Sequence, residues 1–142
     1  GLVFAHEYDQ DEIYPWSTGN YSTIGANSES VGGGAGNTFE IVDALGSGNY
    51  AASICDQLVY KGYDDWFLPS IGDLEEIHDV KSMIYSNTNF IFYGVVYWSS
   101  TEYGEHAYVT NLSTSWWDDR IVHKSGESDV FGEIKILPVR AF

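Results

Sequence analysis

The spacing of apolar residues before residue 62 predicts one strand and two helices. Leu2–Ala5 is a short apolar run typical of a strand. Thr38–Leu45 and Asn49–Tyr60 are predicted to be helical. In the second of these, apolar residues at positions 51, 54, 55 and 58 follow the i, i+3, i+4, i+7 pattern of one buried stripe. Gly62 then stands where a glycine commonly ends a helix.

A further helix is predicted over Ser70–Ile84. Ser70 can cap this helix, and Asp73, three residues later, completes a capping-box pattern. The inner stripe falls at positions 74, 77, 81 and 84, and the lysine at position 81 can cover apolar surface with its aliphatic stem.

After residue 87 the pattern changes to runs rich in β-branched and aromatic residues. Strands are predicted at Tyr93–Ser99, Ala107–Leu112, Trp116–His123 and Ile134–Arg140, and turn-like segments separate them. Two main helices, near residues 50–60 and 70–84, followed by antiparallel strands predict an α+β domain whose helices pack on the sheet.

The segment Asp9–Asn37 has no regular pattern and is rich in Gly, Ser, Asn and Asp. A loop of this length is uncommon in a compact domain. It is therefore either functional or packed beneath its own aromatic residues, Tyr14, Trp16 and Tyr21.

Length and composition predict a single domain that spans residues 1–142. Hydrophobic residues make up 44% of the 142 residues, which excludes a disordered chain. The longest apolar run, Phe90–Trp98, is interrupted by Gly94, and a membrane span needs about 20 residues. The first residue is Gly1 and not Met, so we interpret the sequence as the C-terminal part of a longer chain or a processed fragment.

Charge and cysteine content narrow the classes of partner. The net charge of −15, with six Lys and Arg, argues against nucleic acid and anionic lipid surfaces, because phosphate groups select cationic side chains. The single cysteine, Cys55, excludes an internal disulfide framework and a thiolate metal cluster.

Several blocks of the chain resemble one known family in register. They are Asn37-Thr38, Tyr50-Ala51-Ala52, Gly62–Ser70, Tyr97–Glu102 and Pro138–Phe142. In these blocks the sequence is similar to the C-terminal domain family of the Legionella collagen-like adhesin, which includes variable proteins of diversity-generating retroelements. Leu137 replaces an arginine usual in that family, and Ser113-Thr114-Ser115 replaces a turn with glycine.

The resemblance implies a C-type-lectin-like fold, with two helices packed on antiparallel strands and long irregular loops. It also implies that Leu2–Ala5 lies beside Ile134–Val139. The implied function is recognition of a protein or glycan target by a domain displayed on a cell surface or virion, without membrane insertion and with oligomers allowed. The sulfated glycans bound by the adhesin do not suit a charge of −15, and the implied location is extracellular.

A candidate ligand-binding surface lies in the C-terminal half, where relatives carry their varied residues. Tyr, Trp, Asn, Ser and Arg are typical of recognition surfaces. The alternative is an ordinary sheet face with aromatic cross-strand pairs. Strand alternation assigns Ala107, Val109 and Ile121 to the buried side and leaves open which of two adjacent tryptophans points outward. The candidate residues are Tyr103, His106, Tyr108, Asn111, Ser113, Ser115, Trp116, Trp117, Asp118, Asp119, Arg120 and His123.

Two other aromatic blocks, Trp66–Pro69 and Tyr97–Ser100, are interpreted as packed scaffold, because Trp and Tyr bury large areas. The acidic groups at residues 9–12, 64–65 and 118–119 are interpreted as solvated surface, with a structural calcium ion as the alternative. No calcium-binding loop motif or sugar-coordinating triplet is present, and the histidines lack metal-ligand spacing. We therefore expect no metal or other cofactor.

The sequence favours a binding module over an enzyme. Fold relatives that generate formylglycine use a pair of cysteines, whereas Cys55 stands alone on an apolar helix stripe, where a thiol is normally inert. We expect no catalytic residues. The alternatives to target recognition are an oligomerising tip module of a fibre or adhesin and, with less support, an oxidase of the formylglycine-generating type.

Overall fold

The fold is α+β, as the pattern predicted, and the described residues form three helices and two sheets. The structure, a computed structural model, describes residues 1–5, 12–87, 96–112, 119–127 and 133–142. The elements in chain order are β1 (Leu2–Phe4), α1 (Gly34–Leu45), α2 (Ala51–Asp56), α3 (Ile71–Asn87), β2 (Val96–Tyr103), β3 (His106–Asn111), β4 (Asp119–His123), β5 (Ile134–Lys135) and β6 (Val139–Ala141). No helix in these ranges is long and apolar enough to cross a membrane.

The main sheet has the strand order β4-β3-β2-β5, and β1 pairs with β6 in a separate two-stranded sheet. The prediction of a purely antiparallel sheet is wrong at β5, which runs parallel to β2. The predicted strand Ile134–Arg140 is divided into β5 and β6 around Pro138, which has no N–H to donate to a ladder. The predicted contact of the two chain ends is confirmed, because Phe4 pairs with Val139.

The main sheet is covered by different elements on its two sides. On one side, α1, α2 and the N-terminal loop pack against Trp98 and Val109 of β2 and β3. On the other side, Leu74 and Ile77 of α3 pack with Tyr97 of β2 and with the terminal strands. The blocks that contain Trp66 and Trp98 are buried, so their interpretation as scaffold is confirmed.

Helix α1 begins four residues before the predicted start because a residue far along the chain caps it. The carboxylate of Asp73 accepts hydrogen bonds from the backbone N–H groups of Gly32 at 2.6 Å and Gly34 at 3.1 Å. The same carboxylate accepts the N–H of Ser70 at 2.9 Å, and the Ser70 hydroxyl accepts the N–H of Asp73 at 3.1 Å. The predicted capping box is thus confirmed, and its acid also anchors the neighbouring helix.

Helix α2 is shorter than predicted and ends at Asp56. The following residues form a tight turn closed by a bridge between Tyr60 and Tyr63, with positive φ angles at Lys61 and Gly62. The glycine therefore serves this turn and does not cap the helix. The predicted apolar stripe is largely confirmed, because Ala51, Cys55 and Leu58 are buried.

A buried ion pair fastens the long N-terminal loop to the sheet. The Lys124 ammonium, fully buried, donates to Oε2 of Glu102 at 2.8 Å and to the carbonyl of Ser22 at 3.0 Å, and it lies 4.6 Å from the Trp16 ring centroid. The Glu102 carboxylate in turn accepts the backbone N–H groups of Ile24 and Gly25. Trp16 of the loop is fully buried beside Lys124, so this part of the loop is packed on the sheet, as the second alternative predicts.

The ion pair gives the first prediction. Removing one partner leaves a buried charge without compensation, so Lys124→Met should lower the free energy of unfolding by about 3–5 kcal/mol. The matched control is the exposed ion pair between Arg140 and Asp65, with 2.6 and 2.9 Å contacts, where Asp65→Asn should cost much less, because solvent screens the pair. Urea denaturation measures both values, and equal losses would contradict the anchoring role.

The same pair predicts a loss of stability in acid. Burial alone would raise the pKa of Glu102, but hydrogen bonds from Lys124 and from the backbone at Ile24 and Gly25 outweigh burial and hold the pKa below its usual value. The stabilisation is then complete above the unfolded pKa, about 4.3, and is lost as the pH falls through the folded pKa. The difference in unfolding free energy between the wild type and Glu102→Gln should therefore shrink from pH 7 to pH 3. A constant difference would contradict this assignment.

Candidate functional site

The candidate site is built on the outward side of β3 and β4. His106 pairs with His123 and Tyr108 with Ile121, while Ala107, between them in sequence, pairs with Val122 on the core side. Because side chains alternate along a strand, the His106–His123 and Tyr108–Ile121 pairs share one face of the sheet, opposite the core. Tyr103, at the end of β2, pairs with His106 and joins the same face.

We call Tyr103, His106, Tyr108, Ile121 and His123 the β3–β4 face. Tyr103 is 56% exposed and Ile121 is 44% exposed, and the other three are half-buried. The rings of Tyr103 and Tyr108 meet edge to face with centroids 5.7 Å apart. The face therefore presents a packed aromatic and apolar surface to solvent.

The assignment of Ile121 to the buried side was wrong. Its cross-strand partner is Tyr108, and the core residue of β4 is Val122. Ile121 and Val122 are consecutive β-branched residues, so the sequence of β4 does not show which of them faces the core. The inward residue was therefore placed one position too early.

The two histidines form one end of the β3–β4 face. Their ring centroids are 5.5 Å apart and their planes are nearly perpendicular. Tyr21, from the N-terminal loop, packs edge-on against His123 with centroids 4.7 Å apart. Nδ1 of His123 lies 2.8 Å from Oγ of Ser125 and 3.2 Å from its backbone nitrogen.

The other end of the same sheet face is closed. There Tyr97 and Thr110 pair across β2 and β3, and both are fully or almost fully buried. Tyr97 belongs to the cluster that contains Leu74 and Ile77 of α3. The helix thus limits the accessible part of the sheet to the end that carries the β3–β4 face.

The structure brings together four of the predicted binding residues: Tyr103, His106, Tyr108 and His123. Asn111 pairs with Val96 and Arg120 with Val109, so both lie at the margin of the core-facing side. Asp119 lies in β4 opposite Thr110. The remaining predicted residues, Ser113, Ser115, Trp116, Trp117 and Asp118, lie outside the described residues.

Sequence reasoning missed two members of this region. Ile121 was assigned to the wrong side for the reason above. Tyr21 comes from the loop about a hundred residues upstream, and no local signal indicates that it meets His123. The aromatic residues of the loop predicted that the loop would pack against the rest of the domain, but they did not indicate which residue Tyr21 would contact.

Two cationic side chains form ion pairs within the described part of the fold. Lys124 is paired with Glu102, and Arg140 makes a bidentate ion pair with Asp65. The Arg140 hydrogen bond holds the pKa of Asp65 below its usual value. Asp65, one of the two acidic residues at positions 64–65, is therefore paired with Arg140.

Other potential sites are less developed. A groove of about 320 Å³ beside the start of α1 is lined by residues that include Gly33, Asn37 and Glu40, but the Asn37 amide is hydrogen-bonded to Ser28 and Ser100. Cys55 is buried, as predicted, and burial raises its pKa. Within the described ranges, no group of three or more His, Cys, Asp or Glu side chains is placed to hold a metal ion.

Comparison with known proteins does not add to this geometry: no protein family, curated protein or solved structure matches the chain.

Proposed function

We propose that this chain is a target-recognition domain that binds a protein or glycan through the β3–β4 face. The observation that carries the proposal is the set of Tyr103, Tyr108 and Ile121 side chains that meet on the accessible end of a sheet whose opposite side is core. Large, rigid aromatic side chains on a fixed backbone lose little conformational entropy on binding, which is why recognition surfaces are rich in them.

We also propose that the fold is C-type-lectin-like and that the domain is displayed on a cell surface or virion, in some relatives as a retroelement-diversified variable protein. The support is the sequence resemblance, together with the contact between the chain ends and the long loop packed on the sheet. Diversification of Tyr103, Tyr108 and Ile121 would alter this face, whereas the alternating positions Ala107, Val109 and Val122 belong to the core.

We propose a binding function and not a catalytic one because of the chemistry of the single cysteine. Oxidation of the formylglycine-generating type needs two thiols, and the sequence contains only Cys55. That thiol is fully buried in the cluster beneath α1 and α2, and its raised pKa disfavours the reactive thiolate.

An alanine scan that scores stability and binding on the same proteins tests the proposal. A glycan array and a cell-binding screen supply the target, and biosensor titration then measures affinity. Truncation of Tyr103 or Tyr108 to Ala should weaken binding by about 2 kcal/mol or more while the melting temperature stays nearly constant. The control Trp98→Ala should lower stability by about 3–5 kcal/mol, because Trp98 is fully buried.

Two results would contradict the assignment. One is a stable Trp98→Ala variant, which would mean that the scaffold has been misidentified. The other is unchanged affinity in the double variant of Tyr103 and Tyr108, which would move the binding site away from the β3–β4 face.

A second candidate function, an oligomerising tip module, is favoured by the outer surface of the β1–β6 pair. Phe142 is 78% exposed, Tyr63 49% and Val3 41%. Val3 pairs with Arg140, whose guanidinium carbon lies 3.8 Å from the Tyr63 ring centroid, so this apolar surface is continuous with an aromatic–cation stack.

Solution mass distinguishes the two candidates. If the β1–β6 pair forms an interface between copies, light scattering should show an oligomer that Phe142→Ser converts to monomer. The matched control Tyr103→Ser, on the β3–β4 face, should leave the mass unchanged. A monomer at all concentrations would reject the oligomerising function.

A further inference from the structure

We infer that His106 and His123 form a two-imidazole site for a late first-row divalent metal ion, with Zn²⁺, Cu²⁺ and Ni²⁺ as the class of ligand. The inference goes beyond target recognition and rests on the geometry of one strand pair. It would hold even if the β3–β4 face had no macromolecular target.

The backbone register places these two side chains at the closest kind of cross-strand position. The N–H of Lys124 donates to the carbonyl of Glu105 at 3.0 Å, which makes residues 105 and 124 a hydrogen-bonded pair. The next pair, His106 and His123, is therefore a non-hydrogen-bonded pair, in which facing side chains approach most closely. Both imidazoles are also partly accessible to solvent.

The separation of the rings fits one shared ion. A Zn–N bond of about 2.0–2.1 Å puts the metal about 3.2 Å from each ring centroid, and a tetrahedral angle then separates two centroids by about 5.2 Å. The observed separation is 5.5 Å. The centroid separation is therefore within the range expected for two imidazoles that share one ion.

The surroundings of His123 favour one particular nitrogen as the ligand. Nδ1 is occupied by Ser125, whose Oγ lies 2.8 Å away, and Tyr21 packs against the ring and restricts its rotation. The backbone N–H of Ser125 donates to Nδ1, so in the metal-free protein Nδ1 is the acceptor and Nε2 carries the ring proton. Binding of an ion at Nε2 would move the ring proton to Nδ1, which then donates to the Ser125 hydroxyl, the second hydrogen bond that metal-binding histidines typically make.

Charge and coordination number define what the site can do. The chain carries a net charge of −15, which raises the local concentration of cations. Glu105, next to His106, is exposed on the turn between β2 and β3. Two protein nitrogens leave positions on the ion open to water or to a donor atom from another molecule, so the bound ion is exchangeable.

Zinc titration followed by NMR of the imidazole nitrogens tests the inference on the intact chain. Addition of Zn²⁺ should shift the resonances of His106 and His123, while the buried His78 serves as the internal control and stays unchanged. His106→Gln and His123→Gln should each raise the apparent Kd at least tenfold, and Ser125→Ala should raise it about tenfold through loss of the second hydrogen bond. All three variants should keep the wild-type melting temperature without metal.

Two outcomes would overturn the site. The first is Zn²⁺ binding by the double variant His106→Gln/His123→Gln with the affinity of the wild type, which would locate the ion elsewhere. The second is the absence of any shift at the two histidines when Zn²⁺ is present at millimolar concentration.

Discussion

The contact between Lys124 and Glu102 is the constraint on which the rest of the arrangement depends. It joins the end of β4, the end of β2 and the N-terminal loop at one buried point, with the ammonium beside the Trp16 ring. The backbone carbonyl of Lys124 also accepts the N–H groups of Trp16 and Ser17. A loop without regular structure is thereby fixed to the sheet, because several of its polar groups find their partners there.

Asp73 anchors the other end of that loop in the same way, through hydrogen bonds to backbone N–H groups. Its carboxylate accepts backbone N–H groups at the starts of α1 and α3 and also accepts the N–H of Gly32. A side chain on Gly34 would clash with this carboxylate at 2.6 Å and with the carbonyl of Leu68 at 2.7 Å. The close approach of the start of α1 to the segment that leads into α3 therefore requires glycine at this position.

Local sequence signals were sufficient for elements whose partners are close along the chain. The capping box of Ser70 and Asp73 and the apolar positions of α2 were predicted because both depend on residues three or four apart. The early start of α1, the parallel pairing of β5 and the contact of Tyr21 with His123 depend on residues 38 to 102 positions apart, which no periodicity records. The histidine pair was missed for the same reason: the two residues are distant in sequence and adjacent only through the β3–β4 register.

Residues 1 and 142 lie side by side in the structure. The ammonium nitrogen of Gly1 donates to the backbone oxygen of Phe142 at 3.0 Å, and the N–H of Phe142 donates to the carbonyl of Gly1 at 3.0 Å. A covalent link across this gap would leave the native backbone almost undisturbed but would remove the most expanded unfolded conformations. By analogy with other cross-links that close long loops, the entropic gain is on the order of 4–5 kcal/mol. The same closure would allow the polypeptide to be opened elsewhere, for example at the exposed Gly104–Glu105 turn, with the order of all strands in space retained.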